Sequence, residues 1–366
     1  PGLRERSPMR DGARITDRQR IGVCTTPDGA KIAYSTAGRG PPLVWTGSWF
    51  THLELDWDSP VWRHWIQTLA ARHRLVRYDL RGTGLSDPDV GHADIDTWVD
   101  DLDAVVDDLG LTSFPLLGVC QGGPIAVAYA ARRPERVSRL VLFGGYVRGA
   151  FTADAASEAA RRARAIGELI QLGWGRGDRV FREVAAKMLM PDVPPENVEF
   201  MDAVQRKAAS PANAARLWEA FHSVDVREHA ERVRVPTLVV HVRGDVMVPV
   251  AEGEQLASAI SGAELVTLEG ANHVLMENDV SWPRFVEELF RFLGCEGPDE
   301  PQFPDLTPRE REILRLVARG LANADIARDL GLREKTVRNY VSIIIDKLGV
   351  DGRPQAIVEA REAGLR

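Results

Sequence analysis

The sequence predicts an α/β domain built on a mostly parallel sheet, followed by a small all-α domain. Three observations carry this. Up to about residue 293, short β-branched runs alternate with amphipathic stretches, the pattern of strands covered by helices. A stretch rich in Gly, Pro and acid, residues 294–305, interrupts both periods and reads as a linker. Beyond it the apolar period is helical throughout. A chain of 366 residues with 44% hydrophobic content has room for one large core and one small one. The expected division is therefore a disordered tail over 1–20, an α/β domain over 21–293, a linker over 294–305 and a helical domain over 306–366.

Within the first domain, strands are predicted at 43–45, 75–78, 115–119, 140–143, 237–242 and 264–268. Between about 150 and 226 the strand signal gives way to Ala-rich, charged helical sequence, which predicts a helical lid over the sheet's C-terminal edge. The cysteines, Cys24, Cys120 and Cys295, are odd in number and lack CxxC spacing, which argues against disulfides or a zinc site and for a reducing compartment. No apolar run approaches the roughly 18 residues of a membrane span, and Arg4, Arg6, Arg10 and Arg14 precede no apolar signal segment, so a cytoplasmic protein is expected. The net charge of −7 is uneven: residues 305–366 carry 12 Arg and Lys against 10 Asp and Glu, a net of +2 that leaves −9 elsewhere. Only the last segment suits a phosphate backbone on charge grounds.

In that segment, Thr307-Pro308-Arg309-Glu310 has the spacing of a capping box with Pro at the first helical position. The helix carries Ile313, Leu314, Leu316 and Val317 to Gly320. Asn323 is placed to cap a second helix bearing Ile326, Ala327 and Leu330, and Gly331 makes a tight turn. A third helix sets Val337, Val341, Ile344, Ile345 and Leu348 on one face and Lys335, Arg338, Asn339 and Ser342 on another. One face packs; the other suits a major groove. The run 306–314, then Ala324-Asp325-Ile326-Ala327, then 335–341 and Lys347-Leu348-Gly349, resembles the LuxR-type DNA-binding domain over essentially all of 305–366. The resemblance implies a four-helix helix-turn-helix module in which Arg338, Asn339 and Ser342 read bases of an operator in double-stranded DNA, while Lys335, Thr336, Tyr340 and Lys347 hold phosphates. It also implies a homodimer through a fourth helix with Pro354, Ala356, Ile357 and Ala360. Arg333 stands where the family usually has a capping Ser, a loss of about 1 kcal/mol of helix stability.

In the first domain, Gly118-Val119-Cys120-Gln121-Gly122-Gly123 follows a predicted strand and opens a helix, the setting of a nucleophile elbow. Asp245 ends one later strand and His273 follows another. Nucleophile, acid, histidine is the chain order of the α/β-hydrolase fold, which the segments 51–57 and 78–87 also resemble, and in particular the sensor domains of this fold that bacteria fuse to output modules. The resemblance covers about 20–293 and implies Cys120 as nucleophile in place of the usual Ser, His273 as base and Asp245 as its orienting acid. The oxyanion donors would be the backbone N–H of Gln121 and one from Ser48 or Trp49, where many relatives carry His-Gly and this chain has Thr46-Gly47. Trp49, Phe50, Trp57, Trp174 and Phe221 are possible lining for a ligand pocket or, equally, core.

Two other patterns lead nowhere. Gly82-Thr83-Gly84 lacks the third glycine and acidic partner of a dinucleotide site. Asp100, Asp101, Asp103, Asp107 and Asp108 are spread by helical spacing over a solvated face, so no metal and no cofactor are implied. The sequence leaves two functions open. One is a transcription regulator whose α/β-hydrolase-like domain binds a small ester, lactone or acyl compound and thereby controls DNA binding. The other is a working Cys-dependent esterase, thioesterase or acyltransferase tethered to DNA.

Overall fold

The computed structural model describes residues 19–89, 91–153, 156–176, 179–191, 193, 195–294, 303, 306–330 and 332–362. The chain divides into two compact units between Leu293 and Gly294. Residues 1–18 of the expected tail, most of the expected linker and Gly331 lie outside the described residues. Gln19 and Arg20 correct the tail's boundary: Gln19 hydrogen-bonds to the Leu53 carbonyl and to Arg77, and Arg20 opens the first strand.

The first unit holds an eight-stranded sheet in the order β1-β2-β4-β3-β5-β6-β7-β8, with β1 (Arg20–Thr25), β2 (Lys31–Ala37), β3 (Pro42–Trp45), β4 (Arg74–Tyr78), β5 (Phe114–Val119), β6 (Val137–Phe143), β7 (Thr237–Val242) and β8 (Glu264–Leu268). The β1–β2 and β2–β4 pairs are antiparallel and all others parallel. All six residues of β7 are buried, as are five of six in β5, because helices cover both faces of a parallel sheet and leave no polar side. The covering helices between strands are α1 (Leu53–Trp57), α2 (Arg63–Ala70), α3 (Ile95–Asp108) and α4 (Gly122–Arg132). Asp94 caps α3 by accepting from the Thr97 amide at 2.9 Å.

Between β6 and β7 the expected insertion is helical: α5 (Ala150–Ala153), α6 (Glu158–Gly173), α7 (Arg179–Leu189), α8 (Pro195–Ala208), α9 (Pro211–His222) and α10 (Arg227–Ala230). Ser157 and Ser210 cap α6 and α9. The unit closes with α11 (Val250–Ala259) and α12 (Trp282–Leu293), whose Phe285 ring lies 4.6 Å from Trp65 and 5.1 Å from Phe143.

The aspartates of α3 are not all solvated, as the sequence reading had them. Asp101 is fully buried and paired with the buried guanidinium of Arg81. No group of three or more residues suited to a metal occurs among the described residues. No helix among them is long and apolar enough to cross a membrane.

The second unit is four helices: α13 (Pro308–Ala318), α14 (Asn323–Leu330), α15 (Glu334–Leu348) and α16 (Arg353–Glu362). The capping box at Thr307 is complete, with Glu310 reaching back to the Thr307 amide at 2.6 Å. Ile313, Leu314 and Val317 of α13, Ile326 of α14, Val337 and Ile344 of α15, and Ala356 and Ala360 of α16 close one small core. Asn323 does not play the expected capping part, because its side-chain oxygen accepts from Arg353 at 2.7 Å.

Candidate active site and nucleic-acid interface

Cys120 sits between the end of β5 and the start of α4 with φ of 53°, a left-handed backbone that a non-glycine residue adopts only when its surroundings force it. The flanking glycines permit the turn. A β-carbon at Gly122 would lie 2.2 Å from Thr46 Oγ1, and one at Gly118 would lie 2.8 Å from the Ala126 methyl. Thr46 Oγ1 in turn donates to the Gly122 carbonyl at 3.1 Å, tying the elbow to the loop after β3.

His273 reaches this turn from the loop after β8. Its Nε2 is 2.7 Å from Cys120 Sγ and its Nδ1 is 2.5 Å from Asp245 Oδ2, in the loop after β7. All three side chains are buried. Burial alone would discharge the imidazole, but the adjacent Cys120 and Asp245 outweigh it and hold the His273 pKa well above the ordinary histidine value. Asp245 is fixed from behind: its Oδ1 accepts from the amides of Met247 at 2.8 Å and Val248 at 3.0 Å. His241 Nε2 meets the Val248 carbonyl at 2.8 Å and braces the same turn. That bracing histidine was invisible to motif reading, since nothing in its spacing marks it. Chemically, the chain Asp245–His273–Cys120 can take a proton from, or return one to, a group at the sulfur.

The residues expected to donate to an oxyanion occupy two facing loops. Ser48 Oγ donates to Gln121 Oε1 at 3.1 Å, which links the loop after β3 to the elbow. The Trp49 indole Nε1 donates to the Ala214 carbonyl at 2.9 Å. Behind this loop, Asp79 Oδ2 accepts from the amides of Leu53 (3.2 Å) and Leu85 (2.9 Å). Asp56 lies 3.5 Å from Arg77, and burial pushes its carboxyl up to about 7 against the pull of that guanidinium.

An apolar cavity of about 30 Å³ lies between this loop and the helical insertion. Trp49, Phe50 and Trp174 line it, as the sequence reading allowed. Trp57 and Phe221 do not: Trp57 is half-buried on α1, and Phe221 is core, stacked on Trp98 at 4.3 Å. Cys120 and His273 are also absent from its walls.

In the second unit, Lys335, Arg338, Asn339 and Ser342 project from α15 into solvent, while Thr336 and Tyr340 are half-buried. Arg338 is 66% exposed and pairs with Glu334 one turn earlier at 3.0 Å. Lys347 differs from the other expected phosphate contacts. Its ammonium is 2.7 Å from the buried carboxylate of Glu310, so it braces α15 against the start of α13, and together with the Thr307 amide it holds Glu310 below the usual carboxylate range. Arg333 precedes α15 without a side-chain cap, as its residue type predicts.

An eight-stranded sheet with a strained cysteine elbow, an acid and a histidine on successive strand ends defines the first unit, and the chain belongs to the α/β-hydrolase fold family, whose profile matches residues 50–280. The second unit matches the family of bacterial regulatory proteins of the luxR type over residues 304–360, so a LuxR-type DNA-binding domain is fused to a hydrolase-fold domain. Among relatives, a protein of Rhizobium rhizogenes assigned as the carbamate hydrolase RutD is 32% identical over 249 residues, covering 66% of this chain and 91% of that one. The transcriptional regulatory protein DesR of Bacillus subtilis is 48% identical over 59 residues, covering 16% of this chain and 30% of its own length. Among solved structures, a hydrolase from Pseudomonas aeruginosa superposes with a TM-score of 0.60 at 28% identity, over 75% of this chain and 98% of that one.

Proposed function

We propose that the hydrolase-fold domain binds a small ester, lactone or acyl compound and that its occupancy sets the affinity of the LuxR-type domain for an operator. The observation that carries this is the 2.7 Å approach of His273 Nε2 to Cys120 Sγ in a chain that also holds a DNA-binding domain. A cysteine beside a protonated histidine is commonly a thiolate near neutral pH. Its sulfur adds to the carbonyl carbon of the effector. The carbonyl C–O bond to the leaving group then breaks, the departing alkoxide takes the proton of His273 Nε2, and a thioester remains on Cys120. Gln121 N–H, with Ser48 or Trp49 N–H, steadies the oxyanion. Arg338, Asn339 and Ser342 read the operator, Lys335, Thr336 and Tyr340 contact phosphates, and two copies bind a two-fold site through α16, where Val358 is 52% exposed. The regulator works in the cytoplasm, where its operator lies.

The second reading, a turning-over esterase, thioesterase or acyltransferase, draws on the completeness of the Asp245–His273–Cys120 chain. One experiment separates the two. Wild type and Cys120→Ala are incubated with activated esters, lactones and acyl thioesters, followed by intact mass and product release, and operator affinity is measured on a duplex selected from a random pool. A stable adduct on Cys120 with altered operator affinity supports the regulator. Repeated product release that depends on Cys120 supports the enzyme. Unchanged operator affinity at saturating ligand and fixed salt defeats the regulator reading.

A further inference from the structure

Among the described residues that line the cavity beneath the helical insertion, one side chain ends in an amide, and its oxygen is unsatisfied. Gln205, on α8, lines the cavity, is 2% exposed, and its Oε1 has no hydrogen-bond partner. The other described residues of the wall are apolar, with Trp49, Trp174, Trp218 and Met247 among them, and none of the described lining side chains is charged. A buried carbonyl oxygen left without a donor costs stability that an apolar residue of the same length would not, since Met fills such a space with no polar atom to desolvate. A partner brought by a ligand offsets that cost.

The position of the cavity relates it to the cysteine site. Its wall is joined through the backbone to each part of the cysteine site: Trp49 follows Ser48, the Met247 amide holds Asp245 Oδ1 at 2.8 Å, and the Leu189 carbonyl accepts from the His273 amide at 2.8 Å. Cys120 and His273 do not line it, and these backbone links are what relate the space to an acyl compound whose carbonyl lies at Cys120. A cationic donor has no counter-charge among the described lining residues. A hydroxyl meets either end of the Gln205 amide, since it both donates and accepts.

We propose that the cavity receives the apolar chain of an acyl compound bearing a hydroxyl, with Gln205 as its hydrogen-bond partner. This rests on the reading of the domain as a small-molecule site. At about 30 Å³ the cavity holds little more than a water molecule or two, so a chain enters only as the insertion opens. The wall residues Leu169 of α6 and Val184 of α7 are 45% and 41% exposed, which puts the mouth between those helices.

The test uses the full chain as Cys120→Ala, with and without Gln205→Met, so that no chemistry intervenes. Methyl decanoate and a series of methyl hydroxydecanoates differing in hydroxyl position are titrated against tryptophan fluorescence, which Trp49, Trp174 and Trp218 report from the wall. One isomer should bind roughly tenfold more tightly than methyl decanoate, and Gln205→Met should abolish that preference while leaving methyl decanoate affinity intact. Gln205→Met should also melt higher than its parent without ligand. The proposal is overturned if no isomer is preferred, if nothing binds, or if the preference survives Gln205→Met. Binding without hydroxyl preference that still shifts operator affinity leaves the regulator reading standing alone. Hydroxyl preference with unchanged operator affinity defeats the regulator and leaves the ligand class.

Discussion

The two halves of the chain keep their working atoms in opposite places. Around Cys120 each functional side chain is buried and held by others: the elbow is strained, His273 is bonded at both ring nitrogens, and Asp245 is held by two amides. Along α15 the groups assigned to DNA stand in solvent, and Arg338 is held only by an exposed ion pair with Glu334, a contact of little energetic weight. Under the proposed function the difference follows from the partners. A carbonyl is activated only where water is kept away and donors are fixed beforehand, whereas a phosphate backbone supplies its own field and orders flexible side chains on arrival. Substitutions in the first region should therefore disturb chemistry and folding together. Those in the second should disturb affinity alone.

The largest expected effect is on the rate of Cys120 acylation. His273→Ala should slow it by roughly 10²–10⁴-fold, read by intact mass against time, with operator affinity of the unliganded chain unchanged. A loss of DNA binding in that variant would break the contrast. Next comes Gly122→Ala, whose added methyl meets Thr46 Oγ1 and the Gly47 carbonyl; unfolding of the hydrolase-fold unit should become easier by about 1–3 kcal/mol in denaturant titration. Arg338→Ala should weaken operator binding by about 1–3 kcal/mol and relax selectivity at one base, with the melting temperature unmoved. Thr307→Ala sharpens the comparison from the other side, because it removes a cap rather than a DNA contact; it should cost about 1 kcal/mol of stability in the C-terminal unit.

Asp56 titrates near 7 in the folded chain, above its unfolded value, so its contribution to stability is full at pH below the unfolded carboxylate range and declines as pH rises through 7. The melting temperature should fall over that interval, and Asp56→Asn should flatten the fall.

How much of this could be read in the sequence depended on whether the signal was local. Strands β3 to β8 are legible from their short β-branched and apolar runs, most continuous where both faces are buried, as in Thr237–Val242, and still present in the edge strand β8, whose Glu264 and Leu265 are exposed. The β1–β2 hairpin has no legible signal because β1 is an edge strand whose Ile21 and Val23 stay exposed, so the sequence alone extends the tail to residue 20. Cys120, Asp245 and His273 were legible because strand–turn–helix and strand-end positions mark them. Gln205 and His241 were not, since each acquires its meaning from a cavity or a turn assembled by distant segments. Phe221 went wrong for the same reason: aromatic character alone does not tell a pocket wall from a ring stacked on Trp98. Lys347 has the residue type of a phosphate contact, and only the fold reveals that Glu310 already occupies it.

The small volume beneath the insertion has a thermodynamic consequence. A chain whose resting form has no room for an acyl tail binds one only through the fraction of molecules that are open, and the apparent dissociation constant is the intrinsic one divided by that fraction. If one molecule in about a hundred is open, affinity is weakened about a hundredfold, and any substitution between α6 and α7 that favours opening tightens binding of every ligand alike. Under the proposed function, sensitivity to an effector is then set by the helices of the insertion, while selectivity is set by the walls they cover.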